Sequence, residues 1–134
     1  MAASHEKAHA RLRRLREALI ELHRELIAAQ RIEVERVSGR MGPGEALQAA
    51  IQDIRFAWLG DLSRLITEIV ELTTATEPVA DDASADGVER RIRALVDPPD
   101  PLAEFGARYL RALQEQPGVV LAHRDVLAAL EAHG

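Results

Sequence analysis

The chain contains no cysteine and few aromatic residues: of its 134 residues, one is Trp, one is Tyr and two are Phe. The absence of cysteine excludes disulfide scaffolds, thiol catalysis and thiolate metal sites. No uninterrupted apolar run approaches the ~20 residues of a membrane span, and the charged N-terminal stretch has no apolar core of the signal-peptide kind. These absences favour a cytoplasmic protein that does not enter a membrane.

The charge balance is acidic, with a formal net charge of -5 and an isoelectric point near 5.5. Such a charge opposes binding to nucleic-acid backbones and anionic membranes. The N-terminal region nevertheless carries a basic cluster, formed by Lys7, Arg11, Arg13, Arg14 and Arg16. Because no aromatic residues are interleaved for base stacking, this cluster is interpreted as a solvated face and nucleic-acid binding as unlikely. Pairing with the acidic segment 77–86, within the chain or across a dimer, is an open alternative.

The composition favours helix over sheet, since Ala, Leu, Arg and Glu are frequent and no window alternates with period two. A chain of this length fits one domain. We therefore predict an all-α fold, an elongated antiparallel bundle of four to six helices, as a single domain over residues 1–134.

The stretch Ile54–Leu72 has the widest apolar arc and is predicted to lie at the centre of the bundle. Its main row is Leu47, Ile51, Ile54, Trp58, Leu62, Leu65, Ile69 and Leu72, and its second row is Phe56, Leu59, Ile66 and Val70. A continuous or kinked helix from about Glu45 to Thr76 is favoured. A break at Asp53 or Gly60 is the alternative, because Asp can cap a new helix and Gly weakens a helix interior.

The first helix is predicted to run from a cap at Ser4 to about Val37. Its leucines are spaced three and four apart, as in a coiled-coil seam, at Leu12, Leu15, Leu19, Leu22 and Leu26. The apolar face then continues through Ile27, Gln30, Val34 and Val37. A helix this long exceeds what a compact domain needs. The seam, with Arg13 and Arg14 beside it, is therefore predicted to be an interaction surface for a second copy or another helical protein.

The remaining chain is predicted to form a turn at Ser38–Gly44, a flexible acidic loop at 76–86 and three shorter helices. Asp86 or Ser84 is expected to cap the first of these, which ends at the prolines of 97–101. Asp100 and Pro101 are expected to start the next, with Leu102, Phe105, Tyr109 and Leu113 facing inward. The last is expected over 119–132.

Motifs for chemistry are sparse. A di-iron bundle needs two Glu-x-x-His motifs, and the chain has one, Glu6 to His9. His5 and His9 could share a metal ion, although a solvated pair is favoured. His23 and His123 are interpreted as packing residues, with an axial haem ligand as the alternative. No cofactor and no catalytic residue is assigned, so a non-enzymatic protein is favoured.

The block FAWLGDLSRLI at 56–66, followed by QPGVVLAHRDVLAAL at 116–130, resembles an uncharacterised family of small bacterial all-helical proteins. In that family a Phe-Ala-Trp-Leu-x-x-Leu-Ser-x-Leu-Ile block follows an Asp-Pro break, where this chain has Asp53, Ile54 and Arg55. The resemblance implies a helical bundle and no activity.

Two functional hypotheses follow. The first is a non-enzymatic module for self-association or for binding a helical protein partner. The second is a small-molecule or cofactor-binding bundle, with an apolar pocket near Phe56, Trp58 and Tyr109.

Overall fold

A computed structural model describes residues 2–45, 48, 54–77 and 79–132, with side chains from His5 onward. Over these residues the chain is all-α, 84% helical and without strands, which confirms the predicted fold class. The described elements are α1 (Ala2–Ser38), a 3₁₀ helix (Ile54–Leu59), α2 (Gly60–Thr74), α3 (Asp82–Val96), α4 (Glu104–Glu115) and α5 (Pro117–Glu131).

Helix α1 is the central element of the bundle. Its 37 residues span about 55 Å at ~1.5 Å per residue, and it contacts every other described helix. One stripe along it is buried, at Ala8, Leu12, Leu15, Leu19, Leu22, Leu26, Gln30 and Val34. The length of α1 is therefore accommodated by shorter helices that cover successive parts of the same stripe.

This arrangement corrects the prediction that Ile54–Leu72 forms the centre. Helix α2 buries one face, at Leu62, Leu65, Ile69 and Thr73, while Val70 is exposed. Ile54 is 85% exposed. Leu65 and Ile69 are buried as predicted, but they belong to a helix that packs against the central α1.

The predicted continuous helix through this region is wrong over Ile54–Leu59, which is a 3₁₀ helix. The tighter 3₁₀ turn places three side chains, Phe56, Trp58 and Leu59, in the core. An α-helix begins at Gly60, so the backbone geometry changes at one of the two predicted break points. The other, Asp53, lies outside the described residues, as do Leu47 and Ile51.

Side-chain hydrogen bonds fix the packing of α2 and α5 against α1. His23 Nε2 lies 2.8 Å from Ser63 Oγ, and Arg16 donates to Thr73 Oγ1 at 2.8 Å. The second contact lies earlier in α1 and later in α2, so the two helices are antiparallel. Arg14 donates to the Ala132 carbonyl at 2.9 Å, beyond the C-terminal end of α5. The N-terminal residue Gly118 of α5 approaches Glu25, so α5 is antiparallel to α1 as well.

The prediction of an acidic loop at 76–86 is wrong for its second half, because α3 already begins at Asp82. Its cap is Asp81 and not Ser84 or Asp86. The Asp81 side chain accepts from the Ser84 amide at 2.9 Å, and Ser84 completes a capping box through the Asp81 amide. The capping box satisfies free amide groups of the first turn of α3.

The starts of three helices, and the exposure of two apolar residues, also differ from prediction. Helix α1 begins at Ala2, so Ser4 lies inside it, and Val37 at its other end is 87% exposed. Helix α4 begins at Glu104, after a turn at Asp100 and Pro101, and this turn leaves Leu102 94% exposed. Helix α5 begins at Pro117, two residues before the predicted start.

Candidate functional site

A cleft opens where the 3₁₀ helix, α2, α3 and α4 meet, and it encloses a cavity of about 320 Å³. We call it the tryptophan cleft. Polar and apolar atoms contribute about equally to its walls, and it is lined by Ala57, Trp58, Asp61, Ala94, Leu95, Asp100, Ala103, Glu104, Phe105 and Gly106. The volume lies at the lower end of the range for small-molecule sites, roughly 300–1,000 Å³.

Trp58 and Phe105 form the aromatic corner of the cleft. Their ring centroids are 5.5 Å apart and their planes are tilted by 53°. The indole Nε1 of Trp58 donates to Gln30 Oε1 of α1 at 2.9 Å. Because this hydrogen bond uses the only polar group of the indole, Trp58 offers the cleft only carbon and π surface.

Gly106 permits the close approach of the loop that forms the opposite wall. A Cβ atom at this position would lie 1.9 Å from the carbonyl oxygen of Asp100. The loop therefore packs directly on the backbone of α4 at Gly106. Asp100 Oδ1 accepts from the Leu102 amide at 2.9 Å, which fixes the turn.

A second cavity of about 290 Å³ extends the cleft along α2 and α3. The two cavities share Asp61, Ala94 and Leu95. An ion pair between Glu68 of α2 and Arg91 of α3 lines the second cavity. This pair lowers the pKa of Glu68 and raises that of Arg91, each chiefly through the hydrogen bond to the other.

The charges that line the tryptophan cleft are all negative. They are the carboxylates of Asp61, Asp100 and Glu104. Asp61 is paired with the exposed Arg64 on the same helix. Among the described residues, the lining contains no thiol, hydroxyl, amine or imidazole. Its described ionisable groups are carboxylates, which accept hydrogen bonds and can bind a ligand in this way.

The aromatic row continues from the cleft into the core. Phe105 stacks on Tyr109 with ring centroids 5.6 Å apart, and Tyr109 OH lies 2.6 Å from His123 Nδ1. Burial raises the pKa of Tyr109 and lowers that of His123, the latter offset in part by the Asp97 carboxylate. Both groups are thus held neutral, and the tyrosine hydroxyl donates to an unprotonated imidazole nitrogen.

The three residues of the predicted pocket lie in three different places relative to the cleft. Trp58 lines the cleft, whereas Phe56 is buried without lining it and Tyr109 is fully buried beyond Phe105. The residue that sequence reasoning missed is Phe105. Its spacing of four from Tyr109 on one helix face was the available signal, but nothing local indicates that this face meets Trp58.

A second contact between distant residues is the pair His23 and Ser63. Ser63 Oγ donates to the Leu59 carbonyl at 3.2 Å, so it accepts the hydrogen bond from His23. Burial lowers the pKa of His23. In this geometry His23 does not take the serine proton, so the pair holds α1 against α2 and lacks the arrangement of an activated nucleophile.

The predicted interaction seam lies inside the chain's own core. Its five leucines are fully buried by the other helices. Arg13 and Arg14 are exposed, and Arg14 is bonded to the Ala132 carbonyl. A partner therefore cannot reach the leucine seam of the folded chain.

The contacts of Arg11 confirm the alternative in which the basic cluster pairs with the acidic segment of the same chain. It lies 3.0 Å from Asp86 and 3.9 Å from Asp82, and it also contacts Glu89. The side chains of Arg11 and Glu89 are only 12% and 10% exposed. This buried network attaches α3 to α1.

His5 and His9 line a shallow cavity together with Glu6, Arg13 and Val79. Within the described residues, no group of three or more His, Asp or Glu side chains is arranged to hold a metal ion. The nearby Arg13 cation would also oppose a bound cation. This weak metal candidate therefore gains no further ligand from the fold.

None of the helices in the described part of the chain has the length and apolar character that a membrane crossing requires. Comparison with protein-family models, curated proteins and solved structures found no match to this chain. The resemblance suggested by the FAWLGDLSRLI block is thus neither supported nor opposed, and function is argued from the tryptophan cleft itself.

Proposed function

We propose that this protein is a non-enzymatic binding protein that holds a small, largely apolar molecule in the tryptophan cleft. The observation that carries the proposal is a cavity of about 320 Å³ walled by Trp58 and Phe105. A molecule in this cavity would contact the exposed parts of Trp58 and Phe105 together with Ala94 and Leu95. Burial of apolar area contributes about 25 cal/mol per Å², which provides the driving force.

The polar groups of the cleft favour binding without chemistry. The indole N–H is used by Gln30, and one oxygen of Asp100 is used by the Leu102 amide. The extension along α2 and α3 adds room for a longer ligand, with Leu65 in its lining. Ligand sites likewise combine apolar side chains with a small number of polar groups.

The single tryptophan provides the test, because Trp58 lines this cleft and its fluorescence responds to a ligand bound there. The chain would be titrated with 1-hexanol, hexylamine and sodium hexanoate, which share one apolar tail. We expect at least one of them to give a saturable change at millimolar concentration. Absence of a saturable response to all three would overturn the proposal.

A filling variant tests the location. Ala94 is exposed and lines both cavities, so Ala94→Phe is expected to occupy the cleft and abolish the response. Ala28 is exposed on α1 outside the cleft, and Ala28→Phe is the matched control that should bind normally. Equal binding by the two variants would place the ligand elsewhere.

Self-association is the second candidate function, and one observation favours it. Val37 and Ile54 are 87% and 85% exposed, and Arg55 Nη1 donates to Ser38 Oγ at 2.8 Å, which brings their two segments together. A second copy that covered both side chains would remove them from water. Sedimentation velocity over a wide concentration range, on the natural chain and on Val37→Ser/Ile54→Ser, tests this. A monomer at every concentration would overturn it.

A further inference from the structure

We infer that a separate cavity between α1 and α4 binds a small zwitterion, a molecule of glycine size that carries both a carboxylate and an ammonium group. We call it the Gln30 cavity, and its lining includes Gln30, Glu33, Trp58, Arg108, Arg111 and Glu115. Among the described residues it shares only Trp58 with the tryptophan cleft. The inference therefore goes beyond the proposed function and does not depend on it.

A buried amide of Gln30 supplies hydrogen-bond donors to this cavity. Gln30 is only 7% exposed, and its Oε1 accepts from the indole of Trp58 at 2.9 Å, which fixes the orientation of the amide. Its Nε2 donates to no group in the described part of the chain. Nε2 is thus the polar atom that Gln30 can offer to a molecule in the cavity. Because a buried donor without an acceptor is costly, a ligand oxygen at this position would be stabilising.

Arg108 of α4 adds a positive charge to the same lining. Its guanidinium makes no hydrogen bond or ion pair with another described residue, so its donors are available to a ligand. Guanidinium groups bind carboxylates through parallel hydrogen bonds. The amide of Gln30 and the guanidinium of Arg108 are therefore suited to hold a carboxylate between α1 and α4.

Glu33, Arg111 and Glu115 give another part of the lining a negative charge. Arg111 Nη2 lies 2.7 Å from Glu33 Oε1, and Arg111 Nε donates to Glu115 Oε1 at 3.2 Å. One guanidinium is thus shared by two carboxylates, which leaves one negative charge in this group. Each carboxylate also has a second oxygen that can accept a hydrogen bond. An ammonium group is the ligand group that these oxygens would attract.

The size and the net charge of the Gln30 cavity limit the ligand further. The volume is about 40 Å³, whereas one water needs ~10–15 Å³, so there is room for only a few non-hydrogen atoms. The two arginines and two glutamates of the lining cancel in charge. A simple anion would meet the surplus negative charge of the glutamates, and a simple cation would meet Arg108. A small zwitterion can place each of its charges next to the opposite one.

The test compares glycine with its two halves, acetate and methylammonium, at neutral pH and constant ionic strength. Binding would be followed by Trp58 fluorescence and by the NMR signals of the Gln30 side-chain amide. We expect glycine to bind saturably at millimolar concentration, as a ligand of so few atoms would, and to shift the Gln30 amide signals. Acetate and methylammonium should bind roughly tenfold more weakly, because each lacks one charge-assisted contact.

Arg108→Gln removes the positive charge from the lining. It is expected to weaken glycine binding about fivefold, as the loss of one partly exposed charge interaction would give. Arg124→Gln, which replaces an exposed arginine of α5 outside the cavity, is the matched control and should leave the affinity unchanged. Circular dichroism checks that both variants fold. If Arg108→Gln does not fold, the comparison of the three ligands on the natural chain still decides.

The inference can fail without affecting the tryptophan cleft, whose alkyl ligands are tested separately. Acetate or methylammonium binding as tightly as glycine would overturn it, and so would an unaltered glycine affinity in a folded Arg108→Gln variant. Failure of all three ligands to bind would show that the cavity takes water only. Loss of glycine binding in Ala94→Phe, which fills the tryptophan cleft, would place the ligand there and would also overturn the inference.

Discussion

Gln30 on α1 accepts a hydrogen bond from the indole of Trp58 at 2.9 Å, and both side chains are buried. The two residues are 28 positions apart and belong to the central helix and the 3₁₀ helix. This bond directs the polar edge of the tryptophan away from the cleft. The orientation of the proposed binding wall therefore depends on one amide in the core.

Replacement of Gln30 by Ala is expected to destabilise the fold by about 1–3 kcal/mol, because the buried indole N–H loses its acceptor. Urea unfolding followed by circular dichroism measures the change. Gln114→Ala removes an exposed Gln from α4 and is the matched control, with an expected change within about 0.5 kcal/mol. Equal effects of the two substitutions would contradict the role assigned to the Gln30 amide.

Replacement of Arg11 by Met is expected to destabilise the chain by about 3 kcal/mol, since Glu89 would lose its buried arginine partner. The double variant Arg11→Met/Glu89→Met should regain most of this loss, because the buried charge is removed as well. Arg13→Met, on the exposed side of α1, should have little effect. Thermal or urea unfolding of the four chains decides, and a double variant no more stable than Arg11→Met would contradict the argument.

Two glycine substitutions should change the free energy of unfolding in opposite directions. At Gly106 an added Cβ would collide with the Asp100 carbonyl, so Gly106→Ala should cost about 1–3 kcal/mol, as overpacking does. At Gly87 in α3 the added Cβ would meet only the end of the Arg90 side chain at 3.8 Å. Gly87→Ala should therefore stabilise the chain by about 0.5–1 kcal/mol through helix propensity. Urea unfolding measures both, and a neutral Gly106→Ala would show that the loop does not pack on this backbone.

The sequence predicted the features that depend on local periodicity. The stripe from Leu12 to Leu26 is buried, as the spacing of its leucines indicates. Spacings of three and four mark a helix face that must be covered, but they do not identify what covers it. The leucine seam was therefore interpreted as a surface for another chain, although helices of the same chain cover it.

The features that depend on distant partners were not predictable in this way. The segment from Asp82 to Asp86 lacks large apolar residues, yet it is helical. A capping box at Asp81 starts the helix, and Arg11, 75 residues from Asp86, pairs with it. In the 3₁₀ helix at Ile54–Leu59, Trp58 likewise contacts distant residues, Gln30 and Phe105. The cleft is assembled from four elements, so its shape exists only after they have packed.

Two partly buried histidines give the chain a predicted loss of stability on mild acidification. Burial lowers the pKa of His23 and of His123, so in the folded state both remain neutral at a pH where the unfolded chain, with an ordinary value near ~6.5, binds protons. The unfolded state then binds more protons, and the free energy of unfolding falls as pH decreases below about 6.5. For His123, protonation would also remove the acceptor of the Tyr109 hydroxyl.

This loss of stability can be distinguished from the unfolding that protonation of carboxylates causes at lower pH. Glu35, whose pKa is lowered chiefly by its hydrogen bond with Arg31, and Asp81, whose pKa is lowered chiefly by the Ser84 amide, stay ionised throughout the range in which histidines titrate. Urea unfolding at several pH values between about 7.5 and 5 therefore isolates the histidines. We expect a decrease in stability over this range that becomes smaller in His23→Gln, and imidazole titrations by NMR with midpoints below ~6.5 for both residues. A constant free energy of unfolding over this range, or midpoints at or above the ordinary value, would show that the two rings are not held neutral by burial.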